Sequence, residues 1–122
     1  VNSSMNANRA MGNFVAYSVS KAAVVALTKS AAVHCGNKGY KIRVNAILPG
    51  VVETAMIQNL IETSGAAEAT RAAYEGMSPL KRMAHVDEIA GLVAYLASDE
   101  AAFISGSEYV IDGATTAGMM GV

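Results

Sequence analysis

Apolar and small residues run from Phe14 to Cys35 without a glycine or proline, in blocks such as Ala22–Leu27 and Ala31–Val33. The lack of both breakers predicts one long helix, with Gly36 placed to cap its end. The apolar positions wrap around more than one face, so this helix is expected between layers or against another subunit. Tyr40–Leu48, "YKIRVNAIL", is short, rich in β-branched residues and closed by Pro49-Gly50. That pattern predicts a strand with both faces covered. Ahead of the helix, residues 1–4 read as the end of a strand and 5–13 as a polar loop. After Gly50, "VVETAM" reads as a loop, and 56–76 as one or two Ala-rich helices interrupted at Ser64-Gly65 and Gly76, with Pro79 closing the section. A further helix is predicted from Val86 to Ala97, with Asp87 and Glu88 in its acidic first turn. "SEYVID", Ser107–Asp112, is a short strand, and 113–122 has little pattern. Strand, helix, strand, helix, strand at these lengths predicts an α/β fold with a parallel sheet. There is no internal repeat and no linker.

Composition narrows the classes. With 122 residues the chain is one domain or part of one. Its 52% hydrophobic and 16% charged content and mean hydropathy of +0.32 are those of a globular chain. Nine basic against ten acidic residues, with no basic cluster, argue against nucleic acid and against attachment to a membrane surface. Lys21, Lys29 and His34 interrupt the apolar runs too soon for a membrane span. The opening "VNSSMNANRA" lacks the charged start and apolar core of a secretory signal. Cys35 is the single cysteine, which excludes an internal disulfide and fits a reducing compartment, hence the cytoplasm. The chain begins with Val1, and "VNSS" reads like the tail of a strand, so the expectation is that a front portion is missing.

The candidate chemistry lies in "YSVSK", Tyr17 to Lys21. Residues four apart share a helix face, which turns Tyr17 and Lys21 the same way. A free phenol is a poor base at neutral pH, and an ammonium a few ångströms away favours the phenolate. Ser4 or Ser3, at a strand end, could offer a hydroxyl to a substrate oxygen. Together these residues would give or take a proton at an alcohol or carbonyl. The pair alone is equally what an ordinary half-buried tyrosine with a snorkelling lysine presents, because so short a motif arises often by chance.

The surroundings are more specific. "VNSS", "AYSVSKAAVVALTKSAA", "IRVNAILPGVVETAM", "PLKRMAHVDEIAGLVAYLASDEAAFISG" and "YVIDGA" follow one another in an order and spacing that resembles the short-chain dehydrogenase/reductase family. The resemblance extends over essentially the whole chain and corresponds to the C-terminal half of such an enzyme. It implies that residues 1–122 are the C-terminal part of a single doubly wound, parallel-sheet Rossmann domain. It also implies an NAD(P)-dependent oxidoreductase acting on a secondary alcohol or ketone, with NAD favoured over NADP. By the resemblance Tyr17 is the acid/base, Lys21 favours its phenolate and holds the nicotinamide ribose, and Ser4, rather than Ser3, orients the substrate. Pro49 and Gly50 match the family's proline-glycine turn, with Val52 and Thr54 as contacts to the nicotinamide carboxamide. Asn45 resembles a structural asparagine. "DGA" departs from the commoner Asp-Gly-Gly at Ala114, which bears on a C-terminal turn. The substrate-covering segment is expected at about 55–78, with Met56, Ile57 and Leu60 as contacts. "VHCGNKGYKIRVNAI" and "SGSEY" look most like bacterial hydroxysteroid and alicyclic alcohol dehydrogenases, so a bulky hydrophobic substrate is expected. The family's usual assembly implies a homo-oligomer, a dimer or tetramer, built on the long helix and on the last helix and strand.

The family's glycine-rich phosphate turn has no counterpart in this chain: Gly113, Gly118 and Gly121 do not open a helix. The alternative is therefore a truncated, inactive piece whose one capacity is association, with an apolar ladder edge at 41–48 that would make it poorly soluble. His34 and His85 stand too far apart to suggest a metal, and surface or capping roles are expected. Cys35 is read as an unreactive thiol. Met56, Met77, Met83, Met119 and Met120 fit a core or an apolar pocket equally well. Asp87-Glu88 is read as a helix-start pair.

Overall fold

A four-residue strand, β1 (Ala46–Pro49), is buried at every position and organises the rest. The computed structural model describes residues 1–119, so the readings placed on Met120 and Gly121 lie outside the described residues. On one side β1 pairs in parallel with β2 (Glu108–Ile111), from Ala46 opposite Glu108 to Pro49 opposite Ile111. On its other side Asn2 bridges Ile47, also in parallel, with Ser3 N donating to Ile47 O at 2.9 Å and Ile47 N to Val1 O at 3.0 Å. Parallel neighbours need a crossover. The first is α1 (Val15–Asn37), and the second contains α2 (Ala55–Thr63), α3 (Ala67–Gly76) and α4 (Val86–Ala97). Val25 of α1 packs on Ala46 and Leu48, with Ala7 beside them, a cluster that joins helix to sheet.

Three expectations need correction. The strand foreseen at Tyr40–Leu48 shrinks to Ala46–Pro49 because polar side chains take over the pairing upstream. Asn45 Nδ2 donates to Ile104 O (2.8 Å), its Oδ1 accepts from Ser107 N (3.1 Å), and Arg43 donates to Ile104 O and Ser98 O. Asn45 is thus structural, holding the entry of β2 beside β1. The helix runs past Gly36. Its stop is Gly39 at φ +69°, where Gly39 N donates to Gly36 O and Tyr40 N to Cys35 O, a Schellman ending. Residues 5–13 are not simply a polar loop, for Met5–Ala7 form a 3₁₀ turn with Met5 and Asn6 buried. Helix α1 is covered by this chain along one stripe; Val15, Val19, Leu27 and Val33 are exposed.

The break between α2 and α3 falls at Gly65, φ +76°, as the Ser64-Gly65 signal predicts. Helix α4 starts with a reciprocal cap: His85 Nδ1 accepts from Asp87 N (3.3 Å), and Glu88 Oε2 accepts from His85 N (2.8 Å). Arg82 adds a two-pronged contact, donating to both Glu88 oxygens at 2.7 Å. Hydrogen bonds from Arg82, then from the His85 backbone, hold the Glu88 carboxyl down at about 2. Asp87 and Glu88 are therefore helix-start residues.

Candidate functional site

The strand at Asn2 and β1 point the same way, so the residues that follow each of them emerge at one end of the sheet. In open α/β sheets that carboxyl end is where ligands lie. Ser3 and Ser4 follow the first strand and both are buried. Ser3 Oγ spends its proton on Lys21 O at 2.8 Å, which ties the strand end to α1. Ser4 caps the 3₁₀ turn, its Oγ accepting from Asn6 N at 3.2 Å. A hydroxyl that accepts still has a proton to donate, so Ser4 is the better placed of the two to hold another oxygen.

Tyr17 lies in the first turn of α1 with 43% of its surface exposed. Lys21 stands on the same face, its Nζ 5.5 Å from the centre of the Tyr17 ring. The same Nζ donates to Asn2 O at 3.3 Å, which fixes the ammonium between strand and helix and leaves it further protons to donate. Phe14 meets the Tyr17 ring edge-on at 6.5 Å. The acceptor role of the Asn2 carbonyl was not legible in the sequence, since a backbone oxygen carries no residue signal.

The second group follows β1. Gly50 N donates to Ile111 O (3.0 Å), and a Cβ on Gly50 would lie 2.9 Å from Asp112 Cα, so only glycine fits the close approach. Val52 bridges Ala84, with Glu53 N donating to Ala84 O and Ala84 N to Val51 O, each at 2.9 Å. Thr54 caps α2, its Oγ1 accepting from Ile57 N at a long 3.4 Å. On α2, Met56 and Leu60 are exposed, Ile57 is half-buried and Ile61 is buried. Glu53 accepts from Arg71 at 2.9 Å and from Gln58 at 2.7 Å, a cluster that the sequence reading missed. Glu–Gln spacing of five residues and a partner eighteen away leave no periodic trace. Hydrogen bonding to Glu53 is the main cause that pushes the Arg71 guanidinium above its ordinary value.

Tyr17 and Lys21 are thus paired on one face of α1, and Lys21 is tied to Asn2, two residues before Ser4. Pro49, Gly50, Val52 and Thr54 form a second group at the end of the neighbouring strand, and no hydrogen bond joins the two among the described residues. Neither of the two main clefts is lined by Tyr17 or Lys21. One of about 110 Å³ lies by Ser78, Arg82, Asp112 and Gly113; another of about 490 Å³ lies between Asn2, Arg43 and Leu96. The described residues include no cluster of three or more His, Cys, Asp or Glu fit for a metal, and no helix long and apolar enough to cross a membrane.

This face of α1 thus offers an ammonium beside a phenol, and the end of β1 a threonine hydroxyl with its proton free, as hydrogen-bond donors. The chain is similar to known proteins over most of its length. A family model described as "Enoyl-(Acyl carrier protein) reductase" matches residues 1–116. Oxidoreductase UcpA of Salmonella typhimurium is 44% identical over 103 residues, which are 83% of this chain and 38% of that protein. The NADP-dependent (R)-specific alcohol dehydrogenase of Lentilactobacillus kefiri is 39% identical over 84% of this chain and 38% of its own. The solved structure of 4-hydroxyisoleucine dehydrogenase complexed with NADH superposes with a TM-score of 0.84 at 33% identity, over 97% of this chain and 46% of that one. The chain therefore spans less than half the length of these relatives. Its helices and parallel sheet correspond to half of a doubly wound Rossmann fold.

Proposed function

The chain belongs to the short-chain dehydrogenase/reductase family, and on that premise we propose that the whole protein transfers a hydride between NAD(P) and a secondary alcohol or ketone. The observation that carries this reading is the Lys21 ammonium held 5.5 Å from the Tyr17 ring at the strand end that bears Ser4. A nicotinamide dinucleotide, when bound, accepts the hydride of the carbinol carbon or returns it to the carbonyl carbon. In the oxidising direction Ser4 donates a hydrogen bond to the substrate oxygen and Tyr17, as phenolate, takes the hydroxyl proton. Lys21 donates to the ribose, while its bond to Asn2 O holds it beside the Tyr17 ring. Val52, through its backbone, and Thr54, through its hydroxyl, hold the carboxamide, with Pro49 and Gly50 setting the turn that presents them.

The substrate is a bulky, hydrophobic secondary alcohol. Exposed Met56 and Leu60 beside Ile57 support this, since α2 presents them where a substrate would be covered. The solved relative bound NADH and the curated one is named for NADP, so both dinucleotides belong in the assay, with NAD the first choice. The test is turnover of NAD⁺ or NADP⁺, followed by nicotinamide absorbance, with a panel of alcohols on the protein at its native length. Reaction with none of them overturns the reading, and reaction with small polar sugars alone overturns the hydrophobic substrate. The cytoplasm is the proposed location, and Cys35 is a free thiol there.

A second reading rests on the exposed side of α1, where Val15, Val19, Leu27 and Val33 are uncovered. On it, a polypeptide of this length alone acts by association, and the intact enzyme forms dimers or tetramers through the same helix. The intact mass in the native source separates the two. A mass near 12.6 kDa favours association alone, and about twice that favours the enzyme.

A further inference from the structure

Glu53 stands between the two residues assigned to the carboxamide, and its carboxylate is engaged away from them. Arg71 of α3 donates through one nitrogen to Glu53 Oε1 at 2.9 Å and through the other to Gln58 Oε1 at 3.0 Å. Gln58 of α2 closes the ring by donating to Glu53 Oε1 at 2.7 Å. Three points of the chain, the exit of β1, α2 and α3, are thus fastened by one guanidinium. Glu75, one helical turn beyond Arg71, approaches the same group at 3.6 Å.

A further polar tie between the two helices is local: Thr70 Oγ1 donates to Ser64 Oγ at 2.9 Å, beside the turn itself. Between α2 and α3 the chain turns at Gly65, φ +76°, and α3 has no buried residue of its own. Helix α2 buries only Ile61. Packing alone therefore does little to fix α3 over α2, and Arg71 supplies a charge-assisted tie, one arm on the Glu53 carboxylate and the other on the Gln58 amide, with the Arg71 and Glu53 side chains each 37% exposed.

We propose that Arg71 is a positioning residue for the substrate site: acting through Glu53 and Gln58, it holds the α2–α3 segment closed over the substrate bound beside Tyr17. The inference rests on the oxidoreductase reading and on 55–78 as the segment above the substrate. Arg71 touches neither reacting atom nor dinucleotide in this scheme. Its loss raises the substrate KM and leaves kcat and dinucleotide affinity near those of the unaltered protein.

The experiment compares Arg71→Met, Arg71→Lys and Glu53→Gln in the protein at its native length. Two readouts are taken: steady-state kinetics with NADH binding by fluorescence, and amide hydrogen exchange over 55–76. For Arg71→Met the expected results are a substrate KM raised about fivefold, kcat and NADH affinity within about twofold, and exchange at α2 and α3 faster by about fivefold with α4 unchanged. Arg71→Lys, which keeps the charge but not the fork, recovers part of the KM. Combining Glu53→Gln with Arg71→Met adds little to Arg71→Met alone, because the two act through one contact. Faster exchange with an unaltered KM makes Arg71 merely structural and overturns the inference, and so does unaltered exchange. Those outcomes leave the oxidoreductase reading standing. An unaltered protein that neither turns over an alcohol nor binds NADH removes that reading, and this inference with it.

Discussion

Replacing Gly50 by alanine tests whether the end of the sheet is as tightly built as its geometry implies. The new methyl would sit 2.9 Å from both Cα and Cβ of Asp112 and 3.2 Å from its carbonyl oxygen. Ordinary carbon contacts lie near 3.5–4.0 Å, so a gap of roughly 0.6 Å or more must open. Asp112 has little room to yield. Its neighbour Ile111 accepts from Gly50 N at 3.0 Å, and its own carboxylate is engaged by Thr116 N and Oγ1 at 2.9 and 2.7 Å. Overpacking of this kind costs about 1–3 kcal/mol, and loosening the last ladder hydrogen bond adds about 0.5–1.5 kcal/mol. A stiffer unfolded chain returns about 0.4–1 kcal/mol, so the net loss is about 0.5–4 kcal/mol, centred on about 2 kcal/mol. Gly36 is the control: it lies inside α1, and a Cβ there meets nothing within 4 Å. Gly36→Ala should stabilise by about 0.5–1 kcal/mol. Urea denaturation of both variants at native length, read as midpoints at constant slope, gives the comparison. A Gly50→Ala protein within about 0.5 kcal/mol of the parent, the size of an ordinary surface substitution, would refute the close-approach argument.

Two further predictions follow from backbone and charge. Ala114 holds φ +68°, and Gly there should stabilise by a net of about 0.5–1 kcal/mol once the greater freedom of the unfolded chain is subtracted; an unchanged or lower denaturation midpoint would count against strain at this turn. Glu88 has its carboxyl lowered from 4.5 to about 2, so its contribution to stability is complete above about pH 4.5 and fades as pH falls through about 2. Glu88→Gln should therefore lie below the parent by a constant margin near neutral pH, with the two converging towards pH 2. A margin that persists there would contradict the Arg82 contact as its source.

The elements that were legible in the sequence are those with a local physical signal. Asp87 and Glu88 announce the start of α4, Ser64-Gly65 the break before α3, and Pro49-Gly50 the end of β1. The boundaries that went astray were decided by contacts from elsewhere in the chain. Arg43 and Asn45 turn to Ile104 and Ser107, which shortens the strand, and the left-handed Gly39 rather than Gly36 stops α1. In the site, helical spacing was enough to bring Tyr17 and Lys21 to one face. The Asn2 carbonyl that holds Lys21 and the Glu53–Gln58–Arg71 ring stayed invisible, because each is a tertiary contact between residues with no motif of their own.

The central claim is that Tyr17 moves the proton. Tyr17→Phe keeps the ring and its edge contact with Phe14 and removes only the hydroxyl. The measurement is kcat for alcohol oxidation by this variant at native length, beside its NADH affinity and melting transition. The account predicts a fall in kcat of about 10²–10⁴-fold with binding and melting unchanged. Turnover retained within tenfold of the parent would contradict it.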